Sequence, residues 1–306
     1  MKKNKLISTI VVYVDNDKNY LPKCLTSIEV SARHAGIPLE FILIANGTGK
    51  VKTEYLTSPV KILTNKINLG LAGAVNQAVK KARGEWCLFS CPDVITDKNC
   101  LKTLKKSIKD KNISLLGPKI ILPDGAVQTS ILSIPALKNI FLEQSFLYKL
   151  FPSLFFSPLA NKSLYQKPGY QRALAAIWWL FDKNAFIKTG GLDERFFLYF
   201  EDVDLCNRIT AVGGKIFFDP NASVRHLPHK STGGYTSGKN YFQSLKKYLL
   251  KYNPKFYADI ALLIFLTGCL CRLIFWSLII KFMDNKNLPT EQKILFFREI
   301  LRSALL

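Results

Sequence analysis

A chain of 306 residues, 48% of them hydrophobic, is long enough for one large domain plus an appendage and has ample apolar content for a packed core. Its 43 Lys+Arg against 22 Asp+Glu give a formal net charge of +21, which predicts attraction to anions such as phosphorylated substrates or an acidic membrane. Nucleic acid is not expected, because the lysines are dispersed and no recognition-helix, zinc-finger or aromatic RNA-binding signature accompanies them, and seven cysteines without paired spacing exclude a disulfide framework.

Residues 6–14 are almost continuously apolar, as a strand covered on both faces would be. The basic start before them resembles an export signal, but Asp15-Asn16-Asp17 ends the run and no cleavage site follows, so a buried strand is expected. Leu21, Cys24, Leu25 and Ile28 fall at helical spacing with Pro22 in the first turn. Strands are predicted at Glu40–Ala45 and Val60–Thr64, and this order reads as a doubly wound nucleotide-binding half, with ligand off the carboxyl ends of its strands. The loop from Asn65 to Asn76, with Asn68, Gly70 and Gly73, opens a helix and suits either anion binding or a tight turn. Glu85–Phe89 is a further buried strand, ending in Cys91-Pro92-Asp93, where a carboxylate suits a hard divalent cation beside phosphate.

Ile134 to Tyr170 mixes prolines with many aromatics, and reads as an acceptor-side lid, a membrane-facing insertion, or a core helix over Leu137–Leu150. A buried strand with Trp178 and Trp179 follows, its alternation sending the indoles to opposite faces. Then Gly190-Gly191-Leu192-Asp193-Glu194-Arg195-Phe196-Phe197-Leu198-Tyr199-Phe200-Glu201-Asp202-Val203-Asp204-Leu205-Cys206 gathers acids at 193, 201, 202 and 204 beside large apolar residues. Such a cluster suits a base or metal site, since burial and like charges raise carboxylate pKa values. An ordinary acidic helix N-terminus fits the acids equally well. Lys215–Asp219 returns as a strand, and His226 and His229 lie in a basic loop running to Gly234, in which Lys230 is placed to meet diphosphate oxygens. Finally, a basic amphipathic segment precedes Ile260–Ile280, about 21 apolar residues long enough to cross a bilayer, although Arg272 near the middle fits a helix lying in the interface or a re-entrant hairpin better. Ile294–Leu301 reads as a short amphipathic helix.

The run from Gly190 to Cys206 resembles the second signature of inverting family 2 glycosyltransferases, particularly their bacterial rhamnosyltransferase-like branch, and Asn46, Asn68-Leu69-Gly70, Pro92-Asp93 and His226 occur in that family's order over residues 6–235. The resemblance implies an α/β GT-A fold, with a mostly parallel sheet flanked by helices. Residues 1–240 would form the catalytic domain, divided into a nucleotide-sugar half (1–119) and an acceptor half (120–240) with an insertion near 134–170. Residues 241–306 would form an apolar helical membrane appendage.

The resemblance also implies roles. Asp202 is the general base, with Glu201 beside it; Asp93 and His226 hold a divalent cation, Mg2+ or Mn2+; and Asn46, Asn68, Gly70 and Lys230 line the donor site. Trp178 and Trp179 are core residues by default, with at most one reaching the site, and the resemblance places that position and Asp204 near the acceptor. Two positions depart from the pattern. Cys91 replaces the usual first residue of the metal motif, and Ala45 stands where the family has an Asp that reads the base, a function Asp15 in the neighbouring loop is placed to assume. The expected partners are a dTDP- or UDP-sugar donor, a glycan or lipid-linked acceptor, and an anionic membrane surface at the cytoplasmic face of a bacterial cell membrane. The alternative is a catalytically silent scaffold that binds nucleotide-sugar.

Overall fold

The computed structural model describes residues 6–17, 19–108, 110, 112–145, 147, 161–227, 237–282 and 288–305. They fall into two compact units, one of Met1–Leu132, Lys162–Arg195 and Glu201–Ser231, the other of Ser133–Asn161, Phe196–Phe200 and Thr232–Leu306.

In chain order the first unit runs β1 (Ile7–Tyr13), α1 (Leu21–Ala35), β2 (Leu39–Asn46), β3 (Val60–Asn65), α2 (Gly70–Val79), β4 (Trp86–Ser90), β5 (Val94–Thr96), α3 (Cys100–Ser107), β6 (Ile113–Ile121) and β7 (Ile131–Leu132). After α4 (Leu137–Ser145), which belongs to the second unit, it resumes with β8 (Gly169–Gln171), β9 (Ala173–Leu174), β10 (Trp178–Asp182), α5 (Lys183–Lys188), α6 (Glu201–Ala211) and β11 (Lys215–His226). The main sheet has the order β3-β2-β1-β4-β10-β6-β11-β5, with β8 also paired to β11, while β7 and β9 form a separate pair. Strands β3, β2, β1 and β4 are parallel, β10 is inserted antiparallel between β4 and β6, and β6 runs parallel to β11.

The local reasons are those the sequence offers. β2 and β4 are buried at every position, which is why they read as unbroken apolar runs rather than alternating ones. Helix α1 starts with Pro22 in its first turn, buries Leu21, Cys24, Leu25 and Ile28, and is closed by Gly36 at φ 61°. Strand β11 is longer than expected. It breaks register between Asp219 and Ser223, then pairs with β5, so His226 ends a strand opposite Val94 instead of sitting in a loop.

In the second unit α4 is joined by α7 (Gly238–Tyr252), α8 (Lys255–Phe282) and α9 (Leu288–Ala304). Leu137–Ser145 is helical within the aromatic stretch, while residues 148–160 of that stretch lie outside the described residues. Helix α8 is unbroken and long and apolar enough to cross a membrane, with mean hydropathy 2.2 over its most apolar window, of which 17% is buried. Tyr199 and Phe200 both have left-handed backbone, at φ 71° and 65°, which is strained for aromatic residues. Helix α7 holds them there: the Tyr199 hydroxyl is 2.5 Å from Ser237 Oγ, Ser244 Oγ donates to the Leu198 carbonyl at 2.9 Å, and Phe200 packs on Tyr241 and Tyr248.

Candidate active site

The turn after β4 carries Asp93, whose residue is 1% exposed and whose carbonyl accepts the Leu227 amide at 2.9 Å. Pairing of β5 with β11 brings His226 Nε2 to 3.3 Å from Asp93 Oδ1. The other ring nitrogen, Nδ1, is 2.7 Å from Gln128 Oε1. A proton given from Nδ1 to Gln128 would leave the Nε2 lone pair facing Asp93. An imidazole nitrogen and a carboxylate oxygen in this arrangement fit a divalent cation that takes its remaining ligands from phosphate and water. Among the described residues no three His, Cys, Asp or Glu side chains converge as a metal-binding group.

Ala176 ties that turn to the acidic helix. Its carbonyl takes the Cys91 thiol at 3.6 Å, and its amide donates to Asp202 Oδ2 at 3.2 Å. The Val203 amide donates to Asp202 Oδ1 at 2.8 Å. Burial pushes the half-buried Asp202 carboxyl up to about 6, against these two amide bonds that favour its ionised form. Glu201 is raised well above the ordinary carboxylate range, first by burial and then by the charge of Asp202. Its Oε2 is buried without a hydrogen-bond partner among the described residues. Burial thus raises both carboxyls of this pair, and Glu201 further than Asp202. Burial first, and then the charges of Asp93, Cys24, Asp17 and Glu201, hold the Cys91 thiol well above its ordinary value, so it stays protonated.

Two residues here were not singled out from sequence. Gln128 follows the Leu122–Ala126 turn and bears no motif of its own. Asp17, two residues beyond the Asp15 that drew attention, is 3% exposed, accepts the Val14 amide at 2.8 Å, and is pushed up to about 6 by burial and then by the charge of Asp93. The abrupt Asp15-Asn16-Asp17 stop after a buried strand was the available signal.

The donor-side residues meet one another. Asn46 Nδ2 donates to Asn68 Oδ1 at 2.7 Å and to the Gly70 carbonyl at 3.3 Å, while its Oδ1 accepts Asn65 Nδ2 at 3.1 Å and the Leu69 amide at 3.0 Å. Asn46 thus shapes the Asn68–Gly70 loop from within. Gly47, at φ 79°, is needed beneath it, since a Cβ there would lie 2.9 Å from the Asn68 amide nitrogen. Exposed Asp15 accepts a short hydrogen bond from Thr48, in the loop that follows Ala45 and Asn46. Lys230 lies outside the described residues.

Three acceptor-side expectations are corrected. Trp178 and Trp179 do point to opposite faces of β10, but both faces are covered, leaving them 1% and 2% exposed. Trp178 Nε1 donates to Thr96 Oγ1 at 3.0 Å, and Trp179 stands edge-on to Phe89, so both are core residues with no face left for a sugar. Asp204 is fully buried, because the turn of α6 aims it inward to Arg208, whose Nη2 and Nε lie 2.6 and 2.9 Å from Asp204 Oδ2. Arg208 Nη1 in turn donates to the Thr189 carbonyl at 2.5 Å. What positions the start of the acidic stretch is Asn76 of α2, bonded to both the amide and the carbonyl of Leu192 and to Glu194. Gly191, at φ 76°, is required there because a Cβ would come within 2.6 Å of Asn76 Oδ1.

Comparison with known proteins gives the family and the fold. The family model described as "Glycosyl transferase family 2" matches residues 9–166. An N-acetylglucosaminyl-diphospho-decaprenol L-rhamnosyltransferase of Mycobacterium tuberculosis is 27% identical over 235 residues, 70% of this chain and 74% of that protein. The rhamnosyltransferase WbbL of Escherichia coli is 20% identical over 74% of this chain and 86% of its own length. Among solved structures, a mannosyltransferase of Pyrobaculum calidifontis in complex with GDP-Man and Mn2+ superposes with TM-score 0.56 at 12% identity, over 99% of this chain and 87% of that one. GalNAc-T7 with UDP, GalNAc and Mn2+ superposes with TM-score 0.55 at 17% identity over 80% of this chain, which spans about half (48%) of that larger chain. At these identities the structural likeness concerns the fold, a GT-A fold.

Proposed function

The chain belongs to glycosyl transferase family 2, and from that premise we propose that it transfers a sugar, rhamnose foremost, from a nucleotide-diphosphate donor to a hydroxyl of a lipid-linked glycan, with inversion at the anomeric carbon. The observation that carries this reading is the double use of Ala176, which hydrogen-bonds both the Asp202 carboxylate and the thiol opening the Cys91–Asp93 turn. A proton acceptor and a candidate diphosphate-holding turn thereby share one backbone segment.

In this mechanism Asp202 accepts the proton of the acceptor hydroxyl as its oxygen attacks the anomeric carbon, and the bond from that carbon to the diphosphate oxygen breaks on the opposite face. Glu201, whose carboxyl burial raises further than that of Asp202, would keep its own proton and leave Asp202 to act as the base. Asp93 and His226 are the residues that would hold a divalent cation, with Gln128 fixing the ring, and the cation when bound would neutralise charge on the leaving diphosphate. Mn2+ in two GT-A neighbours supports that assignment. Asp15, carried on Thr48 beside Ala45, reads the base in this account. The lipid-linked substrate named for the mycobacterial relative supports a polyprenyl-diphosphate-linked acceptor, and hence work close to a membrane, to which α8 would attach the protein.

The test is a thermal-shift panel of the purified chain against UDP-, dTDP- and GDP-sugars with and without Mn2+, in which a ligand at 100 times its dissociation constant stabilises by about 2.7 kcal/mol. A shift with one nucleotide that requires metal, disappears in Asp93→Ala and weakens in Asp15→Ala is expected. No shift with any donor from folded protein would favour a silent scaffold, for which the Ala45 substitution is the supporting feature.

A further inference from the structure

Helix α8 has two faces of opposite use. On one, Ala258, Ala261, Phe265 and Cys269 are buried within the second unit, and Gly268 lies against Gln144 of α4 so closely that a Cβ would collide with it. Arg272, past the middle of the helix, is turned to this side. Its Nη2 donates to the Glu143 carbonyl at 2.5 Å and its Nη1 makes a short bond to Gln144 Oε1. The other face carries Phe256, Leu263, Leu270, Ile274 and Leu278, between 47% and 77% exposed, at the seven- and four-residue intervals of a single stripe, with exposed Phe275 at its edge. Asp259 and Thr267 are polar residues on it, whereas a helix facing water carries mostly polar residues there.

The length of α8 invites a membrane crossing, but its neighbours argue against one. A crossing helix would carry into hydrocarbon the Gln144 side chain and Glu143 carbonyl of α4 that bond Arg272, and the Lys293 ammonium that sits 4.1 Å over the Trp276 ring. A helix lying along the surface needs none of this, because its polar partners all stand on the face away from the stripe.

We propose that α8 lies in the plane of an anionic bilayer, with the Phe256-to-Leu278 stripe sunk at the headgroup boundary and Arg272 held to α4 on the opposite side. Charge complementarity selects this occupant. Residues 241–306 carry ten Lys and Arg against four Asp and Glu, with Lys246, Lys247 and Lys255 exposed just ahead of the stripe, and anionic headgroups attract such segments. The inference deepens the membrane attachment of the proposed function, fixing its geometry, and is independent of which sugar is moved.

The experiment uses the full chain in a Cys271→Ser background, with single spin labels at Phe256→Cys, Leu263→Cys, Leu270→Cys and Leu278→Cys, bound to phosphatidylcholine vesicles with or without phosphatidylglycerol. The outer two labels are separated by about 33 Å along the helix. In-plane binding gives all four the same immersion depth, requires phosphatidylglycerol, and falls by about tenfold or more in a Leu263→Asp, Ile274→Asp variant. A depth profile that is greatest at 263 and 270 and shallow at 256 and 278 would overturn the inference in favour of a crossing helix. Failure to bind vesicles, with a dimer in light scattering that the double variant dissolves, would overturn it in favour of a second copy. Nucleotide-sugar binding by the double variant is measured alongside: retained binding shows that the variant is folded and leaves the transferase reading untouched by any of these results.

Discussion

His226 Nε2 stands 3.3 Å from Asp93 Oδ1, although the two residues are 133 positions apart in the chain. The pairing of β5 with β11 creates this contact, and Gln128 completes it by holding Nδ1. Removing the outer partner should therefore disturb the ring without touching a ligand. Gln128→Leu is expected to weaken metal-dependent donor binding by about 10- to 100-fold, while Asp93→Asn abolishes the metal dependence. Titration calorimetry of nucleotide with and without Mn2+ distinguishes these outcomes, and equal binding by wild type and Gln128→Leu would remove Gln128 from the account.

Asp202, pushed up to about 6 by burial, gives a pH signature. A base must be ionised, so kcat/KM should be level above that pH and fall tenfold per unit below it. Asp202→Asn should lower kcat by about a hundredfold or more and leave donor binding in place. A pH profile that keeps the same acid limb in Asp202→Asn would assign the titration to another group.

Asp17 is a buried carboxylate raised in the folded state to about 6. The folded chain therefore holds this proton more tightly than the unfolded one. The resulting stability is present at low pH and is lost as pH rises from the unfolded value through about 6. Asp17→Asn should consequently raise Tm by a few degrees at pH 8, on the order of 2 kcal/mol, and change it little at pH 4. Melting curves at both pH values without metal decide the matter, and a lower Tm at pH 8 would contradict it.

The pair of fully buried Asp204 and half-buried Arg208 should matter for stability and not for the acceptor. Arg208→Ala strands a fully buried carboxylate and should cost about 3–5 kcal/mol in a denaturant melt. Asp204→Asn, which keeps an acceptor for the guanidinium, should leave the acceptor KM unchanged. A raised acceptor KM in Asp204→Asn at unaltered stability would return Asp204 to the substrate site.

The legible parts of this molecule were those fixed by local rules. Buried strands such as β2 and β4 announce themselves by continuous apolar runs, and α1 by Pro22 and Gly36 at its ends. Asp93, Asp202 and His226 stand in long, ordered words of the sequence, and the fold sets Asp93 against His226 while Ala176 bonds both Asp202 and Cys91 of the Asp93 turn. What stayed hidden depends on tertiary partners. Gln128 carries no pattern until β11 brings His226 beside it. Strand alternation leaves open whether one indole of the tandem reaches a site, because it says nothing about whether both faces of a sheet are covered. Asp204 looked like a site acid until Arg208, one helical turn on, claimed it.

The most direct test of the central claim is glycosyl transfer itself. The full chain would be incubated in anionic vesicles with Mn2+, a panel of dTDP-, UDP- and GDP-sugars and a polyprenyl-diphosphate-linked N-acetylglucosamine acceptor, and the product read by mass spectrometry and by the anomeric proton coupling in NMR. The account predicts one added sugar whose anomeric configuration is opposite to that of the donor, with product formation lost in Asp202→Asn. Transfer with retained configuration, or undiminished transfer by Asp202→Asn, would contradict it.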